Sequence, residues 1–379
     1  MTENIFEKSK LSLFKTKNYF RNLDKQILLS FALLLILGLF FSFSSTSFIA
    51  DERLNKDYYF FFQKHLLYAL MSFSIMIGIS MLDTNLLNKI LLPLFLVFFI
   101  TMILVPFFGV EVKGSKRWLN LYIFRFQPVE FIKPFFILVV AQIISSGWIK
   151  NLNFSYFLSF GLLSLIIFFL VIQPDLGQSV LIIAAWSSII FISGFNIFLL
   201  FVIFSFITLM LSTLIYYIPE RFNYIISRIS SFLDPEKNSN FQSSRATEAI
   251  KEGSLKGQGV GEGILKESVP EAHTDYVIAV ISEEFGSIIS ILIISIFLFV
   301  AFRVVRRIIN LTNNFYKLAL SGLISLLIFQ TFIHIGVNAN LLPTTGMTLP
   351  FLSYGGSSLL SSGIIAGIIL NYTSLGLKD

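Results

Sequence analysis

The segment Pro270–Gly286, PEAHTDYVIAVISEEFG, sets Glu271, His273 and Asp275 in a polar stretch that runs straight into an apolar helix. Glu283 and Glu284 follow inside that helix, about two turns on. A carboxylate at a helix mouth can take a proton from a hydroxyl, or it can act as an ordinary first-turn acid favoured by the helix dipole. Acidic groups at and below a membrane surface are expensive, so they need a reason to be there. Glu283 and Glu284 differ by about 100° around the helix. At most one faces the side of Asp275, so one is expected to organise a cavity and the other to pair elsewhere.

A second set has the opposite sign. The stretch Gly109–Pro128 carries Lys113, Lys116, Arg117 and Arg125. Cations suit an anionic ligand such as a phosphate, Arg through a two-pronged fork and Lys as a point charge. Pairing with lipid headgroups or acidic neighbours is the plain alternative. Arg245, in FQSSR, is a further candidate whose alternative is a solvated loop charge. Glu130 and Lys133 stand at i and i+3, a spacing that allows a pair on one helix face. That pair would support a cavity or touch a ligand. Asp175, after Pro174, reads as a helix terminus with a capping acid. His334 sits inside an apolar run and is expected to make a buried interhelical hydrogen bond. Pro343, Gly346, Pro350, Gly355 and Gly356 interrupt helical continuity. Broken backbone at membrane depth is tolerated only where it is buried or lines a cavity. That block, with Ser353, Ser357 and Ser358, is therefore expected to line the site. GQGVGEG, Gly257–Gly263, follows no strand, so a dinucleotide reading fails and a closely approaching loop is the better account.

The elements that must position these residues are helices in lipid. Hydrophobic residues make up 55% of the chain and charged residues 13%, about half the share of a soluble domain. Mean hydropathy is +0.80. Cysteine is absent, which excludes disulfides and thiolate metal sites, and His65, His273 and His334 are too scattered for a histidine metal cluster. The net charge of +6 is explained first by cytoplasmic loops rather than nucleic acid. Apolar runs begin near Gln26, His65, Lys89, Phe131, Ser155, Gln178, Phe195, Tyr276, Leu318 and Phe351. The expected fold is an all-α polytopic membrane protein with about ten transmembrane helices. One long extracytoplasmic loop, residues 219–275, separates spans seven and eight; Ile225–Leu233 inside it has the spacing of an interfacial amphipathic helix. Basic residues place a tail, residues 1–25, and the loop around Arg303, Arg306, Arg307 and Lys317 in the cytoplasm. Residues 26–373 form one membrane domain, and residues 374–379 a short cytoplasmic C-terminus. The first span is expected to be retained, because the basic segment before it is unlike a signal peptide.

Five blocks in this order resemble the SEDS membrane proteins (shape, elongation, division and sporulation), the FtsW/RodA/SpoVE family of peptidoglycan polymerases. They are GSKRWLNLYIFRFQPVEFIK (Gly114–Lys133), QPDLGQS (Gln173–Ser179), FLDPEKNSNFQSSRATEAI (Phe232–Ile250), KGQGVGEGILKESVPEAHTDYVIAVISEEFG (Lys256–Gly286) and NANLLPTTGMTLPFLSYGGSSLL (Asn338–Leu360). GEG before PEAHTDYVIAVISEEFG and PTTGMTLPFLSYGGSSL look most like the division branch, FtsW, in its alphaproteobacterial form. There are departures: Val129 stands where the family usually has Ser in FQPSE, and Thr345 replaces a common Lys, which puts any phosphate role of that position in doubt.

The resemblance implies glycosyl transfer on lipid II at the outer face of the inner membrane, in septal wall synthesis. A sugar 4-hydroxyl attacks the anomeric carbon of a polyprenyl-pyrophosphate-linked chain and a β-1,4 link forms with inversion. Asp275 matches the family's catalytic aspartate in His-Thr-Asp, and His273 positions the loop or a phosphate. Lys116, Arg117, Arg245 and Ser357 are the further substrate contacts, with Glu130, Lys133, Glu283 and Glu284 supporting the cavity. No ligand cluster specifies a metal, although a divalent cation, magnesium or manganese, could bridge Asp275 and the pyrophosphate. Implied partners are a class B penicillin-binding protein of the FtsI type, other divisome proteins and membrane lipid, with no nucleic acid. A RodA-like elongation polymerase, a lipid II flippase or transporter, and a recruiting scaffold are the competing readings. Charges clustered at the outer side favour chemistry there over transport.

Overall fold

A computed structural model describes residues 23–48, 59–112, 115–120, 125–145, 151–217, 223–233, 241–265, 269 and 271–377. Most of the basic tail, Lys113 and Pro270 lie outside the described residues. Every apolar run picked out above is helical. In chain order the elements are α1 (Lys25–Phe48), α2 (Phe60–Met81), α3 (Thr84–Phe108), strands β1 (Val110–Val112), β2 (Ser115–Asn120) and β3 (Arg125–Phe126), then α4 (Pro128–Ser145), α5 (Leu152–Ile172), α6 (Leu176–Ile192) and α7 (Ile197–Tyr217). After them come α8 (Asn223–Leu233), α9 (Phe241–Gly253), α10 (Val277–Phe285), α11 (Ser287–Ile309), α12 (Asn314–Asn338) and α13 (Gly356–Thr373). Among the described residues, α1 to α5, α11 and α12 are long and apolar enough to cross a bilayer; α6 is shorter. The break between α6 and α7 falls at Gly194, where φ is +92°.

The helices sort by what surrounds them. α4, α12 and α13 are buried along most of their length. α3, α5 and α11 turn Phe107, Phe157, Phe168 and Phe302 outward, as helices solvated by lipid do. α13 packs along α2, and α12 along α4 and α6. Without a hydrophobic force between helices in lipid, close approach depends on small residues. Gly363 and Gly367, one turn apart on α13, supply it: a Cβ at Gly363 would meet the Ser72 carbonyl oxygen at 2.5 Å, and one at Gly367 the Met76 carbonyl oxygen at 2.8 Å. Ser72 Oγ then donates to the Leu359 carbonyl across the same seam (2.7 Å).

Two irregular regions depart from plain spans. β1, β2 and β3 form a small antiparallel sheet with Val112 opposite Ser115 and Asn120 opposite Arg125, a departure from the all-helical expectation. β3 is fastened to α4 by the stacked rings of Phe126 and Phe131 (4.8 Å). The eighth apolar run is two helices, because Gly286 adopts φ +85° and breaks it after Phe285. A Cβ at Gly286 would lie 2.2 Å from the Leu255 carbonyl oxygen, so only glycine lets the loop behind α9 come this close. At the far end of α11, Arg303 and Arg307 pair with Asp24 (3.0 and 2.7 Å), which also caps α1 through the Gln26 N–H.

Candidate functional site

The broken segments converge on one cavity of about 860 Å³. Its walls come from the start of α2 (Phe61, Lys64, Tyr68), the β-sheet (Ser115, Arg117, Trp118, Arg125) and the first turns of α4 and α6 (Glu130, Gln178). Arg228 of α8, the turn Glu271–Tyr276 and the stretch from Thr344 to Ser358 complete it. The two segments that topology reading placed outside the membrane, around residues 109–128 and 219–275, therefore meet in one chamber.

Asp275 lines this cavity at the mouth of α10. Its backbone is held by an unusual turn. Glu271 adopts φ +57°, a left-handed conformation uncommon outside glycine, and its carbonyl accepts the N–H groups of Thr274 (3.0 Å), Asp275 (3.0 Å) and Tyr276 (3.3 Å). The Glu271 carboxylate accepts from Thr274 Oγ1 (3.0 Å). Gly346, at φ +70°, runs past the acid so closely that a Cβ there would sit 3.5 Å from Asp275 Oδ2. The His273 ring packs at a tilt against Phe61 (ring centroids 4.8 Å), and the His273 carbonyl accepts from the Tyr354 N–H (3.0 Å). His273 thus joins the acidic turn to the C-terminal broken segment, and it lines the cavity.

The cations are redistributed relative to expectation. On β2 alternate residues face opposite sides, so Arg117 points inward and is buried while Lys116 is exposed and does not line the cavity. Arg117 also serves the frame: Nε donates to the Gln173 carbonyl (3.2 Å), a second nitrogen donates to the Pro174 carbonyl, and Asp175 lies at 3.8 Å. Asp175 caps α6, accepting from the Gln178 N–H (3.4 Å). Burial pushes its carboxyl above the usual range, and Arg117 pulls it back. Arg245 lies outside the cavity lining and pairs with Glu248 on the next turn of α9 (2.8 Å). In place of Lys116 and Arg245, the cavity holds Lys64, Arg125 and Arg228. Among the described residues, no carboxylate pairs with Lys64 or Arg125. Arg228 donates to the Thr344 carbonyl, which ties α8 to the broken segment beside Asp275. Sequence reasoning marked Arg125 only as part of an anomalous group. Lys64 carried a signal too, a lone cation in the first turns of an apolar helix.

Glu130 and Lys133 form a buried ion pair at 2.9 Å. Gln178 Nε2 donates to Glu130 (2.6 Å), and Lys133 reaches Gln330 on α12 (3.4 Å), so the pair bolts α4 to α6 and α12 under the cavity floor. Glu283 and Glu284 do not line the cavity, a correction to the expectation that one would organise it. Glu283 Oε1 accepts the Leu265 N–H (2.7 Å), and a Cβ at Gly263 would strike its side chain at 2.9 Å. The glycine loop Gly257–Gly263 is thereby docked on α10, with the N–H groups of Gln258 and Gly259 donating to the carbonyls of Glu283 and Glu284. Glu284 accepts from Ser44 of α1 (2.7 Å). The glycine loop and α1 thus each supply a donor to one oxygen of these buried acids.

In the C-terminal segment Ser357 accepts from the Gln127 N–H (3.0 Å) and lines the cavity beside Ser358, which bonds Thr348 (2.6 Å). Ser353 instead receives the Leu349 N–H (2.8 Å) away from the cavity. Thr345 packs on Gly177 at the start of α6, where a Cβ would lie 2.8 Å from it, and Val129 is buried in the core. His334 bonds the Met347 carbonyl (2.7 Å), so its partner is the broken segment rather than a neighbouring helix. Among the described residues no three His, Cys, Asp or Glu side chains converge on a metal position.

Residues 24–375 match the FtsW/RodA/SpoVE cell cycle protein family. The chain is 35% identical over 351 residues to a Caulobacter vibrioides protein described as "Probable peptidoglycan glycosyltransferase FtsW", covering 92% of this chain and 88% of that one. A Pasteurella multocida protein with the same description is 32% identical, covering 92% and 89%. Among solved structures, a chain from a peptidoglycan synthase complex that coordinates polymerization and crosslinking superposes with a TM-score of 0.78 at 23% identity, covering 94% and 99%. The Thermus thermophilus rod shape determining protein RodA superposes with a TM-score of 0.68 at 22% identity, covering 93% and 96%.

Proposed function

The chain belongs to the FtsW/RodA/SpoVE family of cell cycle proteins, and from that membership we propose that it is a peptidoglycan glycosyltransferase of the division type. Its substrate is lipid II, polymerised into β-1,4 glycan strands at the outer face of the inner membrane during septal wall synthesis, with both termini cytoplasmic. The observation that carries the reading is a single cavity holding an acid at a helix mouth, Asp275, together with Lys64 and Arg125, two cations with no carboxylate partner among the described residues.

The chemistry needs a base at the attacking hydroxyl and positive charge at the leaving group. The sugar 4-hydroxyl oxygen forms a bond to the anomeric carbon of the second lipid-linked chain as the bond from that carbon to the pyrophosphate oxygen breaks. Asp275 takes the hydroxyl proton, the configuration inverts, and the pyrophosphate departs with the bonding electron pair. Lys64 and Arg125 offset the charge that grows on it, with the Arg117 guanidinium behind them. His273 and Tyr354 shape the wall beside the base. Polymerisation is coupled to a crosslinking partner, a class B penicillin-binding protein, within the division assembly.

The test uses the purified full chain with that partner and lipid II. Wild type yields glycan chains and Asp275→Asn yields none while accumulating as well-folded protein. Normal chain synthesis by the Asn variant would remove Asp275 as the base.

A further inference from the structure

We propose that Asn338 is the positioning residue for Asp275, acting as a cap supplied to α10 from α12. The inference rests on the polymerase reading above and extends it to a residue outside the cavity.

The α10 helix begins without a cap of its own: Tyr276 is at its N-cap position and makes no side-chain capping bond. The first N–H groups of a helix have no partner inside it and normally take a side-chain oxygen from the N-cap residue. Here the oxygen comes from 59 positions away. Asn338 Oδ1 accepts the Ala279 N–H (3.1 Å), the group a local cap would satisfy. The same amide donates through Nδ2 to the Asp275 carbonyl (3.0 Å) and to the His334 carbonyl one turn back on α12 (2.8 Å). Asn338 is wholly buried. Its amide stands where a direct bond from the Ala279 N–H to the Asp275 carbonyl would form if the helix began one residue earlier. Ala279 donates to the Tyr276 carbonyl instead (3.0 Å), as a tightened first turn does.

This arrangement bears on the chemistry. Asp is a preferred capping residue, and Asp275 is one position from the N-cap. With the cap provided by α12, the Asp275 carboxylate need not serve its own helix. Removing the Asn338 amide takes the side-chain acceptor from the Ala279 N–H, leaving it the tightened bond to the Tyr276 carbonyl, and takes the side-chain donor from the Asp275 carbonyl. The Asp275 carboxylate, one position before the N-cap, is then a local oxygen of the type that caps helices. The acid would then turn from the cavity towards α10. Glu271, His273, Tyr276 and Arg228 share the cavity wall with Asp275 and are unchanged by the substitution.

The experiment compares wild type and Asn338→Leu, which keeps the branching of the side chain and removes both bonds to the start of α10 along with the one to His334, in lipid II polymerisation across pH. A misplacement of about 1 Å at a reacting group costs on the order of 100-fold. The expected result is a kcat lower by about 10- to 100-fold with KM within about two-fold. The acid limb of the rate profile should move to lower pH, because a carboxylate that accepts backbone N–H groups holds its negative charge more tightly. A merely structural loss would lower active protein without moving that limb. An unchanged kcat and limb in Asn338→Leu overturns the proposal. Should the Leu variant fail to accumulate, Asn338→Ser, whose hydroxyl can keep only one of the two bonds, is held to the same directions. Failure of both to fold assigns Asn338 to the frame and also overturns it. A wild type that makes no glycan strikes the polymerase reading and this inference with it, whereas an active wild type beside an unaltered Asn338→Leu strikes the inference alone.

Discussion

Lys133→Met should be among the most damaging single changes in this chain, and the reason is electrostatic. Lys133 Nζ lies 2.9 Å from Glu130 Oε2, with side-chain exposures of 1% and 4%. At an effective dielectric of about 20 the attraction at that distance is about 6 kcal/mol, most of which offsets the desolvation of the two charges. The pair is therefore worth little net, yet breaking it is costly. Met fills the Lys volume and leaves Glu130 charged and buried, with Gln178 Nε2 as its remaining side-chain donor. Removing one partner of a buried pair costs about 3–5 kcal/mol. For a chain of this size that corresponds to a fall of about 5 °C in unfolding midpoint. The assay is thermal unfolding of the purified protein in detergent, comparing wild type, Lys133→Met and the double variant Glu130→Gln, Lys133→Met. The double variant should recover most of the loss, because a neutral amide at position 130 still reaches Gln178 and no buried charge is left unpaired. If the double variant is as unstable as the single, unpaired charge is not the cause and the account of the cavity floor fails.

Arg125→Ala should raise the KM for lipid II several-fold, because it removes from the cavity a cation with no carboxylate partner among the described residues, whereas Lys116→Ala, on the face of β2 that does not line the cavity, should change KM by less than two-fold; steady-state polymerisation kinetics compare the two. Gly257→Ala should undock the loop from α10, since φ is +80° there and the new Cβ would lie 2.2 Å from the Glu284 carbonyl oxygen. Strain of this kind costs about 1 kcal/mol or more, and faster protease cleavage within the loop should report it.

Much of this protein is legible without coordinates. The apolar runs had to be helices, because lipid offers no partner to backbone N–H and C=O groups. The Gly194 break, the Asp175 cap and the Glu130–Lys133 pair follow from local rules over three or four residues. Asp275 stood out as an acid at a helix mouth, and the broken C-terminal block was expected at a cavity wall. Less visible was the short β-sheet, whose alternation spans too few residues to outweigh an all-helical background. The two buried glutamates were misjudged for a related reason. Burial of an acid signals that something satisfies it, but not whether that is a ligand or, as with Glu283 and Glu284, a docked glycine loop and Ser44.

What the sequence determined by itself is which apolar runs are helices and the types of chemical group carried near their ends. Only the tertiary structure decided which groups meet. Lys64 from α2, Arg125 from β3 and Arg228 from α8 share a wall with Asp275, while Lys116 and Arg245 do not. Asn338 reaches Asp275 across 63 positions of chain. The physical reason is that local rules fix the direction of a side chain only relative to its own helix or strand. Which face of that element looks into the cavity is set by packing against segments remote in sequence: α13 against α2 through Gly363 and Gly367, and the glycine loop against α10.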